Sequence, residues 1–265
     1  MVSKVAVVDT STDVQTAFKK ALNLIGDIDD LNIKERPVTV KVGVFRHKKG
    51  HHYTTVEVAH AITTRFDKAP VVYLAESDNY EGKGLERLQI YKEVFTDQVI
   101  PFNLSEDTNT KKVAITDESI EFSHILFEPH VLVSTHVLRK AEIGSVLKNL
   151  LGLIPDIKKA RFHEKLVPAL LDAYGAINGV DLAILDGTYA YLDPTCEEDE
   201  GVRTDMLVIG RDAVAVETVG AKFCGLEPAK LPIIQEAVKR GLGEGDFKNI
   251  HILGDPLDIF TERIQ

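Results

Sequence analysis

A basic stretch stands out in an acidic chain. From His136 to Lys165 there are seven Lys or Arg residues and three acidic ones, a local charge of +4 in a chain of net charge −10. Such a patch attracts anions, and imidazole or amine groups within it can transfer protons near neutral pH. We therefore expect His136, Lys148 and His163 to carry out acid–base chemistry on a small ligand bearing a carboxylate or a phosphate.

A second basic segment follows a valine-rich run. Arg46 begins the sequence RHKKGHHYTT, which contains no acidic residue and ends at Thr54 and Thr55. Free N–H groups at the start of a helix favour an anion, so we expect Arg46, Thr54 and Thr55 to bind the ligand together with Lys140. The alternative is a solvated basic turn in which Thr54 caps the helix.

Three carboxylates stand at the ends of apolar runs. Glu76 follows VVYLA, Asp186 ends LAILD, and Asp212 comes after MLVIG. A carboxylate in such a place can bind a divalent metal, orient a histidine or cap a helix. We expect Glu76 and Asp186 to be metal candidates and Asp186 and Asp212 to be ligand-binding candidates, although Asp212 also suits a helix cap.

Strand and helix patterns alternate along the chain. Short continuous apolar runs such as VVYLA and VLVS are typical of parallel strands buried on both faces. The sequence therefore predicts an α/β protein with a mixed, mostly parallel sheet flanked by helices, either as one body or as two lobes with a cleft. We treat residues 1–265 as one domain, with a lobe boundary, if there is one, near residues 103–129, where Lys111 to Phe122 has the alternation of a hairpin.

The predicted strands and helices determine where the candidate site residues lie in the fold. A strand is expected from Val131 to Ser134, helices from Glu142 to Leu153 and from Phe162 to Ile177, and a strand from Leu182 to Leu185. In such sheets ligands lie at the carboxyl ends of the strands. The loops expected to form the site follow Phe45, Ala75, Ser134, Leu185 and Gly210.

Composition excludes several classes of function. The sequence pI of about 5.4 argues against nucleic-acid binding. Neither a signal peptide nor an apolar run long enough for a membrane span is present, so we expect a cytoplasmic protein without a membrane partner. Two cysteines, Cys196 and Cys224, are too few for an intrinsic iron–sulfur cluster. The GxSxG, HExxH, GxGxxG, P-loop and EF-hand motifs are all absent.

Several ordered motifs resemble a known family. They include KNLLG followed by a basic pair and His163, and a GxDxVA pattern that begins at Gly210. Further segments are KVGVFR, VVYLAES, VLVSTHVLRK, LAILDG and the terminal IHILG. From about Val38 to Gly254 the chain is similar to the domain of unknown function 362 family, which often occurs beside ferredoxin-type iron–sulfur segments.

The resemblance implies a fold and a ligand cleft, without a defined reaction. By its motifs the candidate site residues are His136, Lys148, Asn149, Gly152, His163, Asp186 and Asp212. Cofactors stay open, with a divalent metal as one candidate. Three hypotheses follow: an enzyme acting on a small anionic ligand, a non-catalytic metal- or cofactor-binding module that works with an iron–sulfur or redox partner, and an assembly protein whose basic patch meets an acidic surface.

Overall fold

The structure is a computed structural model that describes residues 2–45, 52–193 and 200–264. The predicted ligand residue Arg46 and the cysteine Cys196 lie outside the described residues. Within the described ranges, none of the helices combines the length and the apolar character needed to span a membrane.

A mixed sheet forms the centre of the molecule. Its eight strands lie in the order β10-β1-β9-β8-β7-β2-β3-β4, and a separate hairpin pairs β5 with β6. All neighbouring strands of the large sheet run parallel except β9, which is antiparallel to both β1 and β8. The predicted mostly parallel α/β fold is confirmed. The strands are β1 (Ser3–Asp9), β2 (Val38–Val42), β3 (Val72–Glu76), β4 (Val99–Asn103), β5 (Thr110–Ile115), β6 (Glu118–Ser123), β7 (Val131–Arg139), β8 (Leu182–Tyr191), β9 (Val202–Gly210) and β10 (Ile250–Gly254).

Helices cover both faces of the sheet, because the strands alternate apolar side chains between two cores. Val131 and Val133 of β7 pack with α1 and α2, whereas Leu132 packs with α4, α5 and α6. The first helix begins after Asp13, which caps it, and ends at Gly26 in the left-handed region. The helices are α1 (Val14–Ile25), α2 (Val56–Arg65), α3 (Gly84–Leu88), α4 (Leu166–Ala176), α5 (Ala213–Phe223), α6 (Pro232–Lys239) and α7 (Leu257–Ile264).

The parallel strands β2, β3, β7 and β8 end at one edge of the sheet. Their register places Val42 beside Thr135 and His136 beside Leu185. The carboxyl ends of four of the five strands after which the site was expected therefore lie at a common edge. The carboxyl end of the fifth, at Gly210, lies at the opposite edge because β9 runs antiparallel to its neighbours.

The site strands are longer than predicted. Strand β7 continues to Arg139 and β8 to Tyr191, so His136 and Asp186 stand within strands and not in loops. The predicted helix from Glu142 to Leu153 is a loop followed by a 3₁₀ turn, Lys148–Leu153. The next predicted helix is divided into a 3₁₀ segment, Lys159–Lys165, and α4.

The predicted hairpin is confirmed as β5 and β6. Its apolar residues belong to the same core as α4, and Thr116 N–H at its turn donates to Asp172 of α4 at 2.7 Å. The hairpin therefore packs on the helical layer that also covers the site strands. A lobe boundary near residues 103–129 stays a prediction.

Candidate functional site

Asn149 attaches the 3₁₀ turn Lys148–Leu153 to the sheet. Its amide nitrogen donates to Lys41 O at 3.0 Å, Ser134 Oγ at 3.1 Å and Thr135 O at 3.1 Å. Its amide oxygen accepts a hydrogen bond from Lys41 Nζ at 3.0 Å. Because both polar ends of the side chain are occupied, Asn149 positions the turn beside β2 and β7 and has little capacity left for a ligand.

A buried ion cluster lies beneath this turn. Lys41 Nζ is 2.9 Å from Glu76 Oε1, and Arg87 Nη1 is 3.5 Å from Glu76 Oε2. The amides of Ser77 and Val44 also donate to this carboxylate, at 2.9 and 3.2 Å. Burial acts to raise the pKa of Glu76, but the charges of Lys41 and Arg87 outweigh it and lower that pKa. Glu76 is therefore an ionised anchor for two buried cations.

Lys159 joins a further segment to the same cluster. Its ammonium donates to Ser77 Oγ at 2.5 Å and Asp78 O at 2.7 Å, and Ser77 Oγ in turn donates to Gly152 O at 2.6 Å. Burial lowers the pKa of Lys159 to about 8, partly offset by the charge of Glu76. The neighbouring Lys158 is exposed, so the two adjacent lysines have different surroundings.

Gly152 lets the turn approach the ion pair closely. A Cβ at this position would lie 2.6 Å from Lys41 Cε, 2.7 Å from Lys41 Nζ and 3.0 Å from Glu76 Oε1. Only a residue without a side chain fits there without displacing the pair. Gly152 is thus a packing residue of the site.

Two cations near His136 form no ion pair among the described residues. Arg139 is only 9% exposed, and its Nε has no hydrogen-bond partner among the described residues. The ammonium of Lys148 forms no hydrogen bond or ion pair within the same part of the chain. Burial lowers the pKa of Arg139 to about 10, partly offset by Tyr191 and Glu217. Burial, followed by the charge of Arg139, lowers the pKa of Lys148 to about 8.

His136 is held in one tautomer. Its Nδ1 lies 3.1 Å from Val137 O. A carbonyl oxygen only accepts, so Nδ1 carries the hydrogen and Nε2 of the neutral ring carries the lone pair. Burial, followed by the charge of Arg139, holds the pKa of His136 well below its usual value. The ring packs against Gly43, where a Cβ would lie 2.8 Å from Cγ and 3.0 Å from Nε2.

An aromatic pair borders the cationic residues. Tyr191 of β8 stands beside Arg139 of β7 in the strand register. Its ring stacks on His52, with 4.5 Å between the ring centroids. Both side chains are buried, so they form an apolar boundary next to the guanidinium.

Asp186 ties α2 to β8. One of its oxygens accepts from Thr55 N at 2.6 Å and Thr55 Oγ1 at 2.7 Å, and the other accepts from Thr188 N at 2.9 Å. The carbonyl of Thr54 accepts from Tyr91 OH at 2.6 Å. The structure thus brings Thr55 and Asp186 together, but their hydrogen bonds are made to each other and to the fold, and their role in ligand binding stays a prediction. His136 is oriented by Val137 and not by a carboxylate.

Three other predicted residues lie apart from the buried cluster. His163 is exposed within the 3₁₀ segment Lys159–Lys165. Lys140 is also exposed, and its charge acts on the thiol of Cys224. Asp212 caps α5 at the opposite edge, accepting from Val214 N and Ala215 N, each at 3.0 Å. Its second oxygen accepts from Ser3 Oγ at 2.7 Å and Glu244 N at 2.9 Å, which supports the helix-cap alternative.

The metal prediction gains no support from the donor set. The described residues contain no group of three His, Cys, Asp or Glu side chains placed to hold an ion. Glu76 is flanked by two cations, and burial raises the pKa of the Cys224 thiol to about 12. A divalent metal at Glu76 and Asp186 stays a prediction.

Sequence reasoning missed Lys41, Arg87 and Glu217. Glu217 of α5 accepts from Ser145 N at 2.8 Å and Leu147 N at 2.9 Å, and so holds the loop that leads into Lys148. Burial is the main cause that raises the pKa of Glu217. For Lys41 and Glu217 the sequence did contain a signal, because each is an isolated charge within an apolar run, VTVKV and AVAVETV respectively. Such a charge must find buried partners.

The fold and these contacts define an α/β protein with a cationic site at the carboxyl edge of a mostly parallel sheet. Residues 38–222 match the family model described as Domain of unknown function (DUF362), and the chain belongs to this family. The matched part includes every residue of the site from Lys41 to Glu217. No curated protein matches the chain significantly.

Proposed function

We propose that this protein is an enzyme that binds a small anionic ligand, bearing a carboxylate or a phosphate, at Arg139, Lys148 and His136. The observation that carries the proposal is that the side chains of Arg139 and Lys148 form no hydrogen bond or ion pair within the described residues. A buried cation without a partner costs stability, and a bound anion would remove that penalty. Glu217, whose charge acts on Arg139, is already engaged by backbone amides.

Each of these residues has a distinct task in the proposal. Arg139 presents a planar guanidinium suited to a carboxylate or phosphate, and Lys148 adds a second positive charge. The lone pair on His136 Nε2 accepts a proton from the ligand. Beneath them, Lys41, Glu76 and Asn149 keep the turn that carries Lys148 in place.

The alternative of a non-catalytic module that works with an iron–sulfur partner shares the same anion site. The two hypotheses differ in the effect of substituting His136. In a binding module the substitution would lower ligand occupancy, and there would be no catalytic turnover for it to abolish. Under either hypothesis we propose that the protein is cytoplasmic, as the sequence predicts.

Calorimetric titration with inorganic phosphate and with malonate tests the proposal. We expect Arg139→Met and Lys148→Met to weaken binding by roughly tenfold or more each, the effect of losing about 1.5 kcal/mol or more from a charge-assisted hydrogen bond. The matched control is Lys158→Met, which removes an exposed lysine of the same basic segment and should bind as the wild type does.

Circular dichroism shows whether each variant folds. Binding that is absent from the folded wild-type protein for both anions, or that survives both substitutions, would overturn the proposed site. Binding that is lost equally in Lys158→Met would instead assign it to the general charge of the segment.

A further inference from the structure

The three lysines around the site differ in what their amines contact. Lys41 donates to Glu76, Asn149 and Val42, and Lys159 donates to Ser77 and Asp78. Lys148, by contrast, makes no hydrogen bond or ion pair with any described residue. The first two amines have structural partners, whereas that of Lys148 is uncommitted and available to react.

The surroundings of Lys148 favour a nucleophilic amine. Asn149, its neighbour in the chain, is bonded to Thr135 O, which places the turn beside His136. A lysine that is partly desolvated and adjacent to another cation loses its proton more readily than one in water. Burial and the charge of Arg139 act on Lys148 in this way.

We propose that Lys148 forms a Schiff base with the carbonyl carbon of a small oxo acid whose carboxylate is held by Arg139. This inference rests on the proposed function and names the substrate class of the same site. The guanidinium fork matches a carboxylate in two parallel hydrogen bonds, which leaves the carbonyl of a short oxo acid as the electrophile. The stacked pair of Tyr191 and His52 gives the carbon chain an apolar boundary.

The step balances without an oxidant or a reductant. The Nζ lone pair of the neutral Lys148 amine attacks the carbonyl carbon, and the carbonyl oxygen takes up one proton from the solvent to give a carbinolamine. His136 Nε2 accepts the proton released from the nitrogen and returns it to the hydroxyl group. Water then leaves as the nitrogen lone pair forms the C=N bond, and the product is a protonated imine on Lys148.

Reductive trapping tests the inference on the full chain. The protein is incubated with pyruvate, 2-oxoglutarate or acetoacetate in the presence of sodium cyanoborohydride, and adducts are located by intact-mass measurement and peptide mapping. We expect one of these probes to give a single adduct at Lys148. The control Lys158→Met should be labelled like the wild type.

Lys148→Arg separates covalent chemistry from anion binding. Arginine retains the positive charge but forms no Schiff base under these conditions, so this variant should still bind malonate while losing the label. Failure of all three probes to label Lys148, or labels spread over exposed lysines, overturns the Schiff base. If malonate binding is intact in that case, the anion site stands; if it is also absent, the proposed function fails as well.

Discussion

Lys41 Nζ donates to Asn149 Oδ1 at 3.0 Å, and this contact joins strand β2 to the turn that carries Lys148. The same ammonium lies 2.9 Å from Glu76 Oε1. A buried structural ion pair therefore supports the residue to which we assign the chemistry. Lys41 and Glu76 are distant in sequence from Lys148, so substitutions can change the ion pair and the reactive amine separately.

Lys41→Met should destabilise the protein strongly. The substitution leaves Glu76 buried with Arg87 as its remaining partner, and breaking a buried pair costs about 3 to 5 kcal/mol. Urea unfolding measures the free energy, and the double variant Lys41→Met/Glu76→Gln should lose less than the sum of the two single losses because Lys41 and Glu76 are paired with each other. If the double variant loses the sum of the two single losses, Lys41 and Glu76 are not coupled.

Gly152→Ala should disturb the ion pair between Lys41 and Glu76 from the side of the 3₁₀ turn. The added Cβ would lie 2.7 Å from Lys41 Nζ, so the turn must move away from the ion pair. We expect a loss of about 1 to 3 kcal/mol of stability, as for overpacking in a core, together with weaker malonate binding. The control is Gly175→Ala, where the new Cβ meets nothing within 4 Å. Equal effects at the two positions would contradict the close approach at Gly152.

The sequence predicted the sheet well because its strands are uninterrupted apolar runs. It placed His136 in a loop because the polar residues Thr135 and His136 do not continue the run. In the structure these residues remain in β7 because the turn above them and α2 on the other face cover them. That cover depends on contacts between residues distant in sequence, which periodicity does not reveal.

The same limit explains why charged residues with similar sequence contexts have different surroundings in the structure. Lys158 and Lys159 are adjacent and identical in type, yet only Lys159 reaches the buried Ser77. Similarly, Asp212 and Asp186 both follow apolar strands, but the antiparallel direction of β9 places Asp212 at the other edge. Strand direction and the path of a 3₁₀ segment are set by the whole fold.

Arg139→Met should stabilise the protein while weakening anion binding. The guanidinium is buried without a partner at Nε among the described residues, so replacing it with an apolar side chain removes a buried charge that forms no ion pair there. We expect the free energy of unfolding to rise by about 1 kcal/mol or more. The contrasting variant Arg161→Met removes a guanidinium that is paired with Glu118 and Asp156, and it should not stabilise the protein. A destabilised Arg139→Met that still binds malonate would make Arg139 a structural residue.

His136 should be neutral, as the Nδ1–H tautomer, at and above the ordinary histidine pKa of 6.5. Its folded pKa lies below the ordinary value of 6.5, so the unfolded chain binds more protons just below that pH. This group therefore lowers stability as pH falls below about 6.5, and His136→Gln should lose that part of the slope. Nitrogen NMR of the ring reports the tautomer directly. A ring that titrates near 6.5, or one with the hydrogen on Nε2, would remove His136 as the proton acceptor.

Lys148 should give anion binding a pH limit near its folded pKa of about 8. Above that value the amine is neutral, so malonate affinity should fall while the rate of trapping by an oxo acid rises. Between about 8 and the ordinary 10.5 the unfolded state binds more protons, so Lys148 makes stability rise with pH across that window, and below it the penalty is constant. Comparing the wild type with Lys148→Met in urea unfolding at several pH values isolates this contribution. A malonate affinity that stays unchanged through pH 8 would show that the charge of Lys148 takes no part in binding.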